Sequence, residues 1–372
     1  MREHIGKPQV LKEVNSSLIQ QLIYEQGPIS KPAIAQTSGL SLPTVNKIVD
    51  DLEQEGLILG TGLTEKGAGR KAMLYEANKN AGCLIALYYQ RGHLRSRIAD
   101  ITGQTLYEEI FPLDTGSAIL ALDSVFKAVD TLVFKAPSDV KAIGVGVPGA
   151  VMSNGQLLGI PKIEVWEDFN LAQALADRYD LDICVENDVN LAAVGYYHTQ
   201  LSNRFDNIVY IYTGNGMGSG IILNKKLYRG SSSFSGEIGF MAPLVDVPAN
   251  RDYTASGGYL ECMMMQQYIG VDANGLWKEV EPEQRDRLAN IFSAAAANYI
   301  AILNPDAIVF GGELFNPDLV EIIKQKMSSY TPKSSMPEII YDGCDHTGVD
   351  GLLLSCRGQI ITNTQLISDS GV

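Results

Sequence analysis

The chain has 372 residues, 45% of them hydrophobic and 19% charged, enough for two or three packed domains and unlike a small disulfide scaffold. Its apolar stretches, such as Ala294 to Ala297 and Ala307 to Phe310, fall far short of the ~18–20 residues that cross a bilayer. The net charge of -14 lies wholly after residue 80: residues 1–80 hold nine Lys/Arg and nine Asp/Glu, the remainder twenty against thirty-four, so any nucleic-acid contact has to come from the N-terminal part.

Met1 to Val10 carries no apolar leader, so no membrane partner is expected and the cytoplasm is the expected compartment. Five scattered cysteines (Cys83, Cys184, Cys262, Cys344, Cys356) form no CxxC or CxC pair, and the four histidines (His4, His93, His198, His346) fall in no ligand spacing. Neither a disulfide framework nor a metal site is expected, and the cysteines read as small buried hydrophobes.

Leu18, Ile19, Leu22 and Ile23 recur at helical spacing and end at Gln26-Gly27-Pro28. Ser30 then precedes a short helix with Pro32 in its first turn, stopping at Ser38-Gly39-Leu40. Ser41 caps a third helix, whose apolar stripe is Val45, Ile48, Val49 and Leu52, up to Glu55-Gly56. The second and third form a helix-turn-helix. Leu57-Ile58-Leu59 and Ala72 to Tyr75 then flank a glycine- and threonine-rich tip, as in the β-hairpin wing of a winged helix.

Such shapes also serve as protein–protein modules, but the balanced charge, the basic tip and the polar face of helix three favour DNA. Pro43, Thr44, Asn46 and Lys47 lie opposite the apolar stripe at the end that enters a major groove. Asn suits adenine, and Lys suits guanine or phosphate; Ser41 and the tip cations Lys66, Arg70 and Lys71 are assigned to the DNA backbone. Asp50, Asp51 and Glu53 should be held away from phosphates.

After residue 80 the pattern is α/β. Strands are expected over Leu84 to Tyr89, up to Asp100, over Thr105 to Phe111, Val140 to Val147, Asp182 to Glu186, Ile208 to Tyr212 and Ala307 to Phe310. Residues 117–135 and Leu171 to Tyr179 read as helices. The run GNGMGSG, Gly214 to Gly220, is a glycine-rich loop that could cradle a phosphate or simply close a hairpin, with the chain returning through Ile221 to Leu223.

A winged helix, a strand ending in Pro148-Gly149, ENDVNLAA (Glu186 to Ala193), GNGMGSG, LYRGSSSFSGEIG (Leu227 to Gly239), GGYLE (Gly257 to Glu261) and FGGE (Phe310 to Glu313), in this order, resemble the ROK family of sugar-responsive repressors and sugar kinases. The resemblance covers about residues 12–362. The N-terminal winged helix points to the repressor branch, which includes xylose-type repressors, since kinases of the family lack it.

The resemblance implies an actin-like, hexokinase-like body of two α/β lobes with a sugar in the cleft. The implied domains are a winged helix-turn-helix over 1–78, a small lobe over 79–186 completed by 352–366, and a larger lobe over 187–351. Asp188 matches the base that takes a proton from a sugar hydroxyl, Asn187 its sugar-contacting neighbour, and Glu237 and Glu261 carboxylates that accept from other hydroxyls. Such charge-assisted bonds discriminate between polyols. From the residues alone Asp188 could instead cap the following helix, and Glu261 could be a solvated helix residue. Trp166 could stack on a sugar or fill a core gap.

Three departures from the family pattern bear on catalysis. The turn that holds magnesium and ATP phosphates in the kinases, Asp-x-Gly-Gly-Thr, is here Tyr88-Tyr89-Gln90-Arg91-Gly92, without its carboxylate. The second phosphate loop, Gly-Thr-Gly, is Gly214-Asn215-Gly216. Phe240 stands where the family's zinc site has a histidine, and Tyr253 to Tyr259 holds no cysteine, so packing by Phe240, Tyr253 and Tyr259 has to position Glu261. The expected protein is a sugar-responsive transcriptional regulator of the repressor type, binding operator DNA as a homodimer or a dimer of dimers, with neither cofactor nor kinase activity. The alternative is a bifunctional ATP-dependent sugar kinase with a DNA-binding domain.

Overall fold

The computed structural model describes residues 8–63, 72–90, 92–152, 154–158, 166, 169–214, 216–242, 258–264 and 280–367. The wing-tip cations Lys66, Arg70 and Lys71, and also Arg91, Asn215 and Tyr253, lie outside the described residues.

The N-terminal unit is α1 (Pro8–Gln26), β1 (Ile29–Ser30), α2 (Lys31–Ser38), α3 (Leu42–Gln54), β2 (Ile58–Leu63) and β3 (Met73–Ala77). The Ser30 side chain accepts from the Ala33 amide and Ser41 from the Thr44 amide, so each cap satisfies a donor that the first helical turn leaves open. Gly39, in the left-handed region at φ 71°, ends α2. Val45, Ile48, Val49 and Leu52 of α3 are buried with Ile19, Leu22 and Ile23 of α1. The hairpin β2–β3 is antiparallel, and β1 adds to the free edge of β3, a pairing whose two residues are too few to show a period in the sequence.

The body repeats one topology. In its first half, β4 (Cys83–Gln90), β5 (His93–Asp100) and β6 (Thr105–Pro112) form an antiparallel meander. Beyond α4 (Ala118–Lys135) the chain adds β7 (Val140–Val147) parallel to β4. The short pair β8 (Ala150–Val151) and β9 (Leu157–Leu158) and the helix α5 (Leu171–Ala176) precede β10 (Asp182–Asn187), which lies parallel to β7. The sheet order is β10-β7-β4-β5-β6.

After α6 (Asp188–Tyr196) and a π-helical turn (Tyr197–Leu201), the second half has the meander β11 (Ile208–Thr213), β12 (Met217–Leu223) and β13 (Lys226–Leu227). The short α7 (Tyr259–Met263) and long α8 (Pro282–Leu303) lead to the parallel strands β14 (Ala307–Gly312) and β15 (Glu338–Asp342), separated by α9 (Pro317–Met327). The order β13-β12-β11-β14-β15 mirrors the first sheet. The last helix is α10 (Thr347–Ile367).

Each outer sheet face is covered by its own helices, α4 and α5 on the first and α8 and α9 on the second. The inner faces are covered by exchange. Leu191 of α6 and the apolar side of α10 cover β4 and β7, while Ala192 and Ala193 of α6 lie on β11 and β12. The two helices meet glycine to backbone: a Cβ on Gly351 would stand 1.9 Å from the Leu191 carbonyl oxygen, and one on Gly195 would stand 2.0 Å from that of Thr347. No rotamer relieves a clash between Cβ and backbone, so Gly351→Ala should lower stability by about 3 kcal/mol or more, read as a fall in the urea midpoint.

Two expectations are adjusted. The segment Met217 to Gly220 is strand, not loop: β12 begins at Met217, and a Cβ on Gly220 would meet the Ala193 Cβ at 2.3 Å, so this glycine admits α6 and does not face a phosphate. The helix expected over Leu171 to Tyr179 stops at Ala176. Trp166 is 3% exposed, stacks on Phe169 and donates its indole N–H to the Ala118 carbonyl at 3.2 Å, which makes it a core residue.

Candidate functional site between the lobes

The strand β10 delivers Asn187 and Asp188 to the junction of the two sheets, where α6 starts. Asn187 caps α6, its Oδ1 accepting from the Asn190 amide at 2.9 Å, while its Nδ2 donates to the Gly149 carbonyl at 2.8 Å and to Asp188 Oδ1 at 3.2 Å. The capping role weighed for Asp188 thus falls to its neighbour. Asp188 is 8% exposed and accepts from the Val189 amide at 2.9 Å.

Glu237 and Glu261 reach the same place from the second lobe. The Gly236 carbonyl accepts from the Ser219 amide (2.7 Å), the Ser219 hydroxyl (2.8 Å) and the Ile238 amide (2.7 Å), so the loop bearing Glu237 is fastened to β12. The Ser219 hydroxyl lies 2.6 Å from that of Tyr299 on α8. Gly236 has φ 95°, and a Cβ there would stand 1.9 Å from the Ser219 carbonyl oxygen. Glu261 is half-buried on α7, where its Oε2 accepts from the Met217 amide at 3.3 Å. It is therefore not a solvated helix residue.

The three carboxylates share one field. Burial pushes Asp188 up to about 7, with the backbone amide of Val189 opposing and the charge of Glu237 adding to the rise. Burial likewise takes Glu261 up to about 7, against the Met217 amide and with Glu237 again adding. Glu237 itself is raised by burial. Carboxylates whose ionisation is resisted by burial, clustered in a cleft, mark a candidate functional site.

Phe240 packs edge-on against Phe234, with ring centroids 4.9 Å apart, and its turn (Ile238–Phe240) lies against α7. An apolar ring pair of this kind offers nothing to a zinc ion, and among the described residues no group of three metal-ligating side chains occurs.

At the position that the resemblance aligns with a phosphate-holding turn, Tyr88 is buried. A Cβ on Gly348 would stand 2.4 Å from its ring and one on Gly146 2.7 Å, so the ring fills the gap between β7 and the start of α10. Its hydroxyl donates to the Asp188 carbonyl at 3.3 Å. The sequence shows the lost carboxylate at this position; the plug that replaces it is visible only in three dimensions. A tyrosine here offers no carboxylate to a magnesium ion.

Sequence reasoning assigned no role to Glu186 or Arg229. Glu186, 8% exposed, accepts from the Asn187 amide (2.9 Å) and from Asn190 Nδ2 (3.1 Å) through Oε1, and pairs through Oε2 with Arg229 Nη2 (2.5 Å) and Nε (3.0 Å). Arg229 precedes the Glu237 loop, so this ion pair ties the second lobe to the end of β10. Both residues sit inside the quoted motifs, but their pairing is non-local.

In the N-terminal unit, Asn46 and Lys47 are exposed on α3, and their side chains make no hydrogen bond or ion pair among the described residues. Pro43 is exposed, Thr44 half-buried, and the Ser41 and Thr44 hydroxyls lie 2.8 Å apart. Asp50 pairs with Lys31, and Asp51 lies 3.8 Å from Lys12.

The sequence profile of the ROK family matches residues 91–341, and one described as winged helix-turn-helix DNA-binding matches residues 18–58. A xylose repressor of Caldicellulosiruptor bescii is 24% identical over 362 residues, spanning 87% of this chain and 90% of its own. A solved ROK family transcriptional regulator, described as a homolog of the E. coli MLC protein, superposes with a TM-score of 0.77 at 20% identity, over 96% of this chain and 99% of its own. A ROK hexokinase from Thermus thermophilus shares the fold of the body, with a TM-score of 0.58 at 18% identity over 74% of this chain and 97% of its own. With the family profile spanning well over half of its sequence, the chain belongs to the ROK family and carries a winged helix-turn-helix ahead of an actin-like body.

Proposed function

We propose that the chain is a sugar-responsive transcriptional repressor without kinase activity. What supports this reading is a DNA-binding unit on the same chain as a cleft where Asp188, Glu237 and Glu261 converge, with Tyr88 buried at the position aligned with the kinases' phosphate turn. Asn187, Asp188, Glu237 and Glu261 are the proposed sugar contacts. Ser41, Pro43, Thr44, Asn46 and Lys47, with Lys66, Arg70 and Lys71 of the wing, are the proposed DNA contacts.

A homodimer presents two winged helices to an operator, and the proposed division into 1–78, 79–186 with 352–366, and 187–351 lets a sugar act on lobe closure. Repressors of xylose among its relatives make pentoses the first class to try. No helix among the described residues is long and apolar enough to cross a membrane.

The second reading, a sugar kinase that also binds DNA, keeps Asp188 as a base poised near neutrality. Operator fragments selected from random duplexes, titrated with and without pentoses, hexoses, amino sugars and their phosphates, should show one sugar shifting the binding curve, since an effector acts only through different affinities for two states. ADP release in the same mixtures should stay at background. Turnover of sugar and ATP would establish the kinase reading, and a flat response to every sugar would remove the effector.

A further inference from the structure

The helix α10 begins beside the cleft, packed on α6, and reaches the winged helix. There α1 packs on α10, and the Ser17 hydroxyl donates to the Ile361 carbonyl at 3.3 Å. Beside this joint is a cavity of about 260 Å³ lined by Thr102 and Gly103 of the β5–β6 turn, Thr199 of the π-helical turn, and Asp350, Leu354 and Arg357 of α10. Single π-helical turns inside helices often mark functional positions.

Arg357 is the unusual member. Its side chain is half-buried, and burial lowers its pKa, yet among the described residues it forms no ion pair, and its one hydrogen bond, from Nη1 to the Thr102 carbonyl, is long at 3.4 Å. The remaining donors have no protein acceptor among those residues. The acidic groups around it do not neutralise it: Asp350 is held by Arg97 Nη1 at 2.5 Å, and Glu25 of α1, bonded to Gln21, acts only through its field, as does Tyr24. His198 faces the same group. A buried cation is costly unless paired, and a planar guanidinium with free donors matches an oxyanion in bidentate geometry.

We propose that this cavity is a binding site for a small oxyanion, a phosphate monoester or a carboxylate, held by Arg357 at the joint between the winged helix and the body. Its volume lies below the ~300–1,000 Å³ of typical drug-sized sites, which suits a small phosphate ester and excludes a nucleotide. The anion takes the place of the distant Glu25 as the counter-charge of Arg357, so its arrival alters the electrostatic tie between α1 and α10. The site is separate from the carboxylate cleft, which repels anions.

The test is calorimetric titration of the full chain with inorganic phosphate, glycerol 3-phosphate and lactate at constant ionic strength set with chloride. Saturable binding of at least one is expected, with the phosphate and carboxylate arms identifying the source. Arg357→Gln should weaken it about tenfold or more, Arg357→Lys less, because Lys keeps the charge but loses the fork. Leu354→Phe, which narrows the cavity without touching the guanidinium, should also weaken it and serves if Arg357→Gln does not fold. Asp188→Asn should leave it unchanged. Absence of saturable binding in the wild type, wild-type binding by both Arg357→Gln and Leu354→Phe, or loss of binding in Asp188→Asn would overturn the proposal.

Discussion

Asp188→Asn should weaken sugar binding by about one to two decades while making the ligand-free protein more stable at pH 8. The change is isosteric, and Asn Oδ1 can still accept from the Val189 amide and Asn187 Nδ2. What goes is the charge, and losing charge-assisted bonds to hydroxyls costs ~1.5–3 kcal/mol.

The stability effect has the opposite sign. Because the folded state holds the Asp188 carboxyl at about 7 against an ordinary value of 3.8, it binds more protons than the unfolded chain between these values, and stability falls as pH rises through that window. A rise of this size is worth at most ~4 kcal/mol at pH 8, and relaxation of the site brings the expected gain in the Asn variant to ~1–3 kcal/mol. Sugar affinity in the wild type should climb as pH rises through about 7, where Asp188 and Glu261 become charged, and the climb should be shallower in the variant. Calorimetric titrations and thermal melts at pH 5.5 and 8 measure both. An unchanged sugar midpoint together with an unchanged pH slope would remove Asp188 from the site.

The parts of this fold that the sequence made legible are those whose signals are local. Ser30 and Ser41 announce α2 and α3 because a cap, a first-turn proline and an apolar stripe coincide within a few residues. The strand β4 is a continuous apolar run from Cys83 to Tyr89.

By contrast, α6 is apolar on every side, with Val189, Leu191, Ala192, Ala193 and Gly195 all buried, because it lies between both lobes; such a helix shows no amphipathic period. The start of β12 was hidden by glycines that read as a loop but are there to admit α6. The convergence of Asp188, Glu237 and Glu261 was legible only through the resemblance, since no spacing rule connects three segments brought together by chain crossing. The Arg229–Glu186 pair and the Tyr88 plug depend on contacts across the cleft and had no local signal at all.

A chain lacking residues 1–79 should lose all sequence-specific operator binding while retaining its sugar affinity, because the body carries the whole excess negative charge. Within the winged helix the side chains should separate by what they touch. Asn46 and Lys47 are exposed and uncommitted on a helix whose opposite face, Val45, Ile48, Val49 and Leu52, is buried, so their replacement by alanine removes contacts without disturbing the core. Each should cost ~1–3 kcal/mol at specific base positions and leave non-specific binding nearly intact.

Replacing Arg70 or Lys71 should instead weaken all sequences alike and lower the salt slope by about one per lost phosphate contact. Farther along α3, Lys31 and Lys12 accompany Asp50 and Asp51, which keeps their negative charge from acting alone against the duplex. Gel-shift titrations over a salt series, with specific and scrambled duplexes, distinguish the two classes. If Lys47→Ala loses affinity for both duplexes equally, Lys47 rests on a phosphate and the reading of bases must fall to Asn46 and its neighbours; if Asn46→Ala does the same, α3 is not the element that reads the operator.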